Sequence, residues 1–276
     1  MPPHRHCMIH HLLGVRIDDF SAAEIETKLE DWLLDQGGHT IVTPNAEFLL
    51  EARKNDAFKS LLNHSDLAMA DSVSLQYAAA ALSETRLAHR LPGVDLLEKL
   101  CELASRRRVS VLLLGGAPSC AEASAQKLRQ RFETLDISAI DPGQISWQGN
   151  ALVVSEDLLR QINVLAPSII AVALGSHKQE QFMAQIRTSC PSVKIWIGVG
   201  GAFEMISGQK KRAPRWLSNV GLEWLWRLMI EPRRWRRIFN ASIMFPLVVA
   251  CETFHRKTFI KSTRNVFTEI FRQWTL

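Results

Sequence analysis

Five short apolar runs limit what this chain can fold into: HTIVT at 39–43, LAMA at 67–70, VSVLLL at 109–114, SIIAVAL at 168–174 and VKIWI at 193–197. Each suits a strand in length, and most are apolar on consecutive positions rather than alternate ones. A strand reads that way when both of its faces are buried. A sixth candidate strand covers Asp136–Ile140. Between the runs lie segments with helical spacing: 21–36, the stretch opened by Pro44, 73–82, 92–108, 119–132, 155–165 and 178–188. Residues 8–18 suit a strand or hairpin. Strand and helix therefore alternate, which predicts an α/β fold: a Rossmann-like parallel sheet of right-handed βαβ units with helices on both faces. In such sheets ligands bind beyond the carboxyl ends of the strands. The residues of chemical interest here all follow a strand.

Thr43, Pro44, Asn45 and Glu47 follow the first run. They read either as sugar or ribose ligands or as a helix start with Thr43 capping and Pro44 in the first turn. Asp71 ends the second run, where it serves as a general base or as a cap for the helix that follows. Arg90, Gly93 and Asp95 stand at another helix start. Gly115 and Gly116 open a strand–glycine–helix turn that can cradle a phosphate, although it is neither G-x-G-x-x-G nor a P-loop. Gln179 and Glu180 follow the fourth strand. Gly198, Gly200 and Gly201 form the tightest glycine cluster, with Glu204, Lys210, Lys211 and Arg212 just beyond. No D-x-D occurs anywhere, so a carboxylate-held metal on a diphosphate lacks its usual basis, and no metal site is expected. Leaving-group charge then falls to arginine, lysine and helix N-termini.

Charge divides the chain. Residues 1–208 carry 19 Lys/Arg and 24 Asp/Glu, whereas residues 209–276 carry 14 Lys/Arg and 4 Asp/Glu. Five of the eight tryptophans lie in the second part: Trp216, Trp224, Trp226, Trp235 and Trp274. The division predicts a catalytic domain over 1–208 and a basic, Trp-rich helical appendage over 209–276 that meets an anionic partner. The five cysteines are odd in number and contain no C-x-x-C, as expected of reduced thiols. The start, MPPHRHCMIHHLL, has no signal-peptide pattern. The longest apolar stretch, Ala241–Cys251, falls short of the roughly 20 residues that a span needs.

Taken in order, TPNAEFL at 43–49, ADS at 70–72, RLPGVD at 90–95, LLLGG at 112–116, LGSHKQE at 174–180, and the run from GVGG through RAP and GLEWLWRL to EPRR resemble the WecG/TagA/CpsF family, glycosyltransferase family 26. The match covers about Thr43 to Arg237. The resemblance implies a metal-independent, inverting glycosyltransferase. It would move a sugar from a UDP-sugar donor to a polyprenyl-diphosphate-linked saccharide, in bacterial surface or exopolysaccharide synthesis. It implies a cytoplasmic chain, peripheral on the inner face of the cell membrane, with no cofactor. The partners are the two substrates and an anionic membrane surface, with a second copy of the chain as a further option and no role for nucleic acid. By the same resemblance Asp71 is the candidate base, with Thr43 and Asn45 beside it. Gln179 and Glu180 are candidate nucleotide-sugar contacts. Arg212, Arg215, Arg227, Arg233 and Arg236 are candidates for diphosphate or lipid phosphate.

Three positions depart from the family pattern. His177 stands where G-x-P-x-Q-E has proline, Glu204 where aspartate is common, and Ser72 and Ser74 where many relatives have glycine. Two other classes compete. A nicotinamide-dependent oxidoreductase lacks its G-x-G-x-x-G after the first strand and leaves the tail unexplained. A non-enzymatic membrane- or nucleic-acid-binding module fits the tail but leaves the strand-end motifs unexplained. Donor sugar, acceptor and linkage are not written in the motifs.

Overall fold

The computed structural model describes residues 8–211, 213, 214, 217, 223–232 and 235–275. Its centre is a six-stranded parallel sheet of β3 (His39–Val42), β4 (Leu67–Ala68), β5 (Val111–Gly115), β6 (Ile137–Ile140), β9 (Ile169–Ala173) and β10 (Ile195–Gly198). The spatial order is β4-β3-β10-β9-β5-β6. An antiparallel hairpin, β1 (Met8–Leu12) with β2 (Val15–Asp19), lies beside β4 through a bridge between Asp18 and Met69. A second small hairpin, β7 (Trp147–Gln148) with β8 (Ala151–Leu152), lies in a stretch where the sequence suggested no element.

The apolar runs behave as two-faced strands. Leu112 and Leu114 of β5 join one core, with Val42, Ile170, Val172 and Trp196. Val111 and Leu113 join the other, with Ile41, Ile169, Ala171, Ile195 and Ile197. The first core is closed by α2 (Ala46–Ala52), α3 (Asp56–Asn63), α4 (Val73–Leu82), α7 (Glu156–Leu165), α8 (Lys178–Ile186) and the first hairpin. The second is closed by α1 (Ala22–Leu34), α5 (Gly93–Arg107), α6 (Cys120–Arg131) and α9 (Ala202–Ile206). Ser21 and Glu24 form a capping box at the start of α1, which fixes where that helix begins. Cys101, Cys120, Cys190 and Cys251 are free thiols.

The chain leaves β3 toward the first core, into α2, and leaves β10 toward the second, into α9. Two adjacent parallel strands whose exits diverge leave a crevice above their carboxyl ends. β4 and β9 flank this pair.

The later residues form α10 (Glu223–Ile230), α11 (Trp235–His255) and α12 (Phe259–Trp274). Phe245 and Val249 of α11 are buried in the first core, and α12 packs along α4. Residues 245–274 therefore pack against the first core and α4. The apolar stretch is not an isolated eleven residues but part of a continuous 21-residue helix, long and apolar enough by length and composition to cross a membrane. A π-helical turn at Asn240–Met244 precedes Pro246, which then sits in the first turn of the α-helical part, where its missing N–H is tolerated. Most of its apolar stretch is not buried.

Candidate active site

Asp71 lies just past β4, and its carboxyl turns away from the helix that follows it. Its Oδ1 accepts the backbone N–H of Gly93 at 2.9 Å. Ser72, not Asp71, is the N-cap of α4, and it makes no side-chain capping bond. The Asp71 backbone N–H donates to the Pro44 carbonyl at 2.9 Å, tying this turn to the end of β3. The carboxylate is thus aimed at the N-terminus of α5.

Thr43 is buried, and its Oγ1 donates to the Gly198 carbonyl at 3.3 Å. Gly93 packs so close to it that an added Cβ would lie 3.0 Å from Oγ1. Asn45 caps α2, accepting N–H bonds from Glu47 and Phe48 at 3.0 and 3.2 Å. The capping role assigned to Thr43 as the alternative reading belongs to Asn45, and Thr43 turns its hydroxyl to the neighbouring strand.

Gly198 and Gly200 are glycine for different reasons. Gly200 has φ +51°. Gly198 does not lie in that region, but a Cβ there would come within 2.7 Å of Gln179 Nε2 and 3.1 Å of Glu180 Oε1. The absence of a side chain lets those two groups lie against the strand end. Gln179 Nε2 donates to Glu180 Oε1 at 2.7 Å, and Gln179 Oε1 accepts the Gly200 N–H at 3.0 Å. Glu180 is 3% exposed, and its Oε2 has no hydrogen-bond partner. Burial pushes its carboxyl up to about 7 against the hydrogen bond from Gln179.

Hydrogen bonds and close packing therefore join Asp71–Gly93–Thr43–Gly198–Gln179/Glu180–Gly200 in one arc across the ends of β4, β3, β10 and β9. Arg90 and Asp95 are half-buried on the segment that supplies Gly93. Gly201 is the N-cap of α9. The Glu204 carboxylate lies 3.9 Å from Lys210 Nζ, which is 3.4 Å from Glu231. Gly115 and Gly116 lie further along the sheet. The Gly116 N–H donates to Ala173 at 2.8 Å, and a small cavity of about 80 Å³ opens between Gly115, Ser119 and Asp141. Among the described residues no group of three His, Cys, Asp or Glu side chains could hold a metal ion.

The departures from the family pattern have local explanations. His177 has φ +69°, which proline, fixed near −65°, does not adopt. Its turn therefore differs from a proline-bearing one. The ring lies between Phe58 and Trp147, each 4.9 Å away and tilted by 47°, and burial lowers its pKa. Ser72 and Ser74 bond each other at 2.7 Å.

Of the five tail arginines, Arg212, Arg215 and Arg233 lie outside the described residues, and Arg227 lies on α10 with its side chain outside them. Arg236 is exposed and sits over the Trp235 ring. Sequence reasoning missed Arg237, whose Nε donates to Glu47 at 2.9 Å and fastens α11 to the rim of the crevice. It also missed Gly93 as a backbone donor, since an N–H leaves no compositional trace.

A parallel-sheet crevice that sets a carboxylate, a hydroxyl and glycine turns side by side defines an α/β group-transfer enzyme. The model of the Glycosyl transferase WecG/TagA/CpsF family matches residues 10–258, and the chain belongs to that family: it is a glycosyltransferase. Relatives carry the name N-acetylglucosaminyldiphosphoundecaprenol N-acetyl-β-D-mannosaminyltransferase. One from Bacillus subtilis (strain 168) is 30% identical over 232 residues, covering 84% of this chain and 87% of its own. One from Staphylococcus aureus (strain MRSA252) is 29% identical over 229 residues, covering 82% and 85%. One from Bacillus spizizenii is 29% identical over 226 residues, covering 80% and 84%.

Proposed function

We propose that this chain moves an N-acetylhexosamine or related sugar from a UDP-sugar to a polyprenyl-diphosphate-linked saccharide, with inversion and without a metal, in bacterial surface-polysaccharide synthesis. The observation that carries the reading is the arc joining Asp71, Thr43 and Gln179 above adjacent strand ends. In this reading Asp71 takes the proton of the acceptor hydroxyl as its oxygen attacks the anomeric carbon. The bond to UDP breaks and UDP departs with the electron pair. Thr43 and Asn45 border the donor, Gln179 and Glu180 shape its pocket, and Gly115, Gly116, Gly200 and Gly201 line the approach of its phosphates. Glu204 and Asp95 complete the polar rim. Arg90 and the tail arginines 212, 215, 227, 233 and 236 meet diphosphate charge on donor or lipid.

The same reading makes 1–208 the catalytic domain and 209–276 an appendage that docks on the cytoplasmic face of the membrane. Trp224, Leu225, Met229, Ile230, Trp235 and Phe239 are exposed there amid the basic residues, a pattern that favours an anionic lipid surface. The relatives' names favour N-acetylmannosamine as donor sugar and a diphosphoundecaprenol-linked N-acetylglucosamine as acceptor.

Asp71→Asn tests the base. Asparagine keeps an oxygen for the Gly93 N–H, so the fold and UDP binding are expected to persist while transfer falls about 10²- to 10⁴-fold. Donors to compare are UDP-linked N-acetylmannosamine, its uronic acid, glucose and glucuronic acid. Near-normal turnover by the variant removes Asp71 from the base role. Equal flotation of the wild-type chain with anionic and neutral vesicles removes the electrostatic part of docking.

A further inference from the structure

Helix α12 (Phe259–Trp274) begins where the family match ends, at residue 258. It is amphipathic but turned inside out. The residues it buries are Ser262, Glu269 and Gln273. The residues it exposes include Ile260 at 86%, Phe267 at 68%, Phe271 at 72% and Trp274 at 67%.

The buried polar face is fully engaged. Arg86 grips Glu269 with two parallel bonds, Nε to Oε2 at 2.8 Å and Nη2 to Oε1 at 3.0 Å. Gln273 Nε2 donates to Glu269 Oε1 at 2.9 Å and reaches Gln76 Oε1 at 3.4 Å. Ser262 donates to the Ala81 carbonyl at 2.7 Å. Burial alone would raise the Glu269 carboxyl, but the bonds from Arg86 and Gln273 bring it below its ordinary value. A two-bond guanidinium–carboxylate grip on a carboxylate that is 4% exposed fixes orientation as well as distance.

What the seam grips is the segment that holds the candidate base. Arg86 lies on the loop after α4. Gln76 Nε2 donates to the Leu87 and Ala88 carbonyls, both at 3.2 Å. From the other side Asp19 accepts the Ala88 and His89 N–H groups, both at 2.8 Å. Two residues further on, the Leu91 N–H donates to the Ala70 carbonyl at 3.0 Å, and Gly93 donates to Asp71. One polar path thus runs from α12 through the 86–93 loop to Asp71.

We propose that α12 is a positioning latch. Its outward apolar face lies in the lipid surface, and its inward face, through Glu269, Gln273 and Arg86, holds the 86–93 loop in the register that presents Asp71 to the acceptor. The occupant of the outward face is a bilayer rather than a second copy. Residues 256–275 carry five Lys/Arg and one acidic residue, Glu269, so two such faces repel each other while anionic lipid attracts both. This inference rests on the membrane-docking reading above. Arg86, Glu269, Gln76 and Gln273 are positioning residues, acting on Asp71 through the 86–93 loop.

The experiment compares wild type, Glu269→Gln and Phe267→Ser/Phe271→Ser as full-length chains. Three readouts are used: hydrogen exchange of the 84–95 segment without lipid, flotation with vesicles containing phosphatidylglycerol, and transfer from UDP-N-acetylmannosamine to vesicle-borne undecaprenyl-diphosphoryl-N-acetylglucosamine. Glu269→Gln is expected to speed exchange at 84–95 and lower kcat about tenfold, with KM for the UDP-sugar and flotation little changed. The Phe267/Phe271 variant is expected to lose flotation and keep wild-type exchange. A charge swap, Arg86→Glu with Glu269→Arg, is expected to restore part of the loss that each single change causes. Wild-type exchange and wild-type kcat in Glu269→Gln overturn the latch, and so does normal flotation of the Phe267/Phe271 variant. If the wild-type chain transfers nothing, the substrate reading has failed, and the exchange and flotation comparisons still decide the latch.

Discussion

Glu180→Gln is the most informative single change at the strand ends, because its effect has a sign and a size set by burial. The carboxyl is enclosed beside Gly198, with one oxygen bonded to Gln179 and the other without a hydrogen-bond partner. Its pKa stands at about 7 against an ordinary value of 4.5. Between those values the folded chain holds a proton that the unfolded chain has released, so stability falls as pH rises through the interval. At about 1.4 kcal/mol per pH unit, the loss between pH 5 and pH 8 is about 2 to 3 kcal/mol. Glutamine keeps the oxygen that accepts from Gln179 and cannot ionise, so the variant escapes this loss. Its amide group, placed where Oε2 has no partner, costs about 1 kcal/mol at every pH. The variant is therefore expected to be slightly less stable than wild type at pH 5 and more stable by about 1 to 2 kcal/mol at pH 8. Urea unfolding of both chains at the two values measures it, and the difference between chains cancels the other titrating groups, His177 among them. A difference that does not change with pH would refute the reasoning. It would mean that water or a neighbouring charge reaches the carboxyl.

Other consequences can be checked alongside it. For Asp19, burial alone would raise the carboxyl, but bonds from His10, Ala88 and His89 hold it at about 2. Its contribution is present above about pH 4 and is lost as pH falls toward 2, so Asp19→Asn should cost about 1 to 2 kcal/mol at pH 7 and flatten the acid limb of unfolding. Gly198→Ala should displace Gln179 and weaken UDP binding in calorimetry while circular dichroism stays native; unchanged affinity would mean that the Gln179–Gly200 contact is not needed for the donor. Arg237→Ala breaks an exposed pair with Glu47, worth at most about 1 kcal/mol of stability. If that pair only orients α11, transfer should fall more than stability does, and a variant equal to wild type in transfer would discount it.

Most of the fold was legible in the chain because it follows from local pattern. Continuous apolar runs such as VSVLLL and SIIAVAL are buried on both faces wherever they sit in a parallel sheet. Helix limits at 73–82 and 155–165 came within a residue of the observed ones, the first because its alanine-rich run favours helix throughout and the second because its apolar residues keep helical spacing behind the Ser155 cap. The β7–β8 hairpin was not legible, since two-residue strands have no period. Nor was the continuity of α11, because the apolar stretch read from the sequence ended at the polar residues Asn240 and Glu252, whereas the helix runs past both, with a π turn over Asn240–Met244.

The candidate site divides in the same way. Asp71, Thr43, Gln179 and the Gly198 corner were visible as polar residues at strand ends, and the family resemblance gave them expected roles. Their adjacency was not visible, because β3 and β10 are neighbours in the sheet although about 150 residues apart in the chain. Contacts across such separations depend on strand order, which periodicity does not encode. Sequence alone determined that this chain is a two-faced α/β sheet with a basic, tryptophan-rich tail. Tertiary structure decided that Gly93 holds Asp71, that Asn45 rather than Thr43 caps α2, and that α12 turns its polar face inward. That last orientation is set by partners outside the helix: Arg86 and Gln76 on the core satisfy Glu269 and Gln273, and a buried ion pair can form only where both halves are brought together.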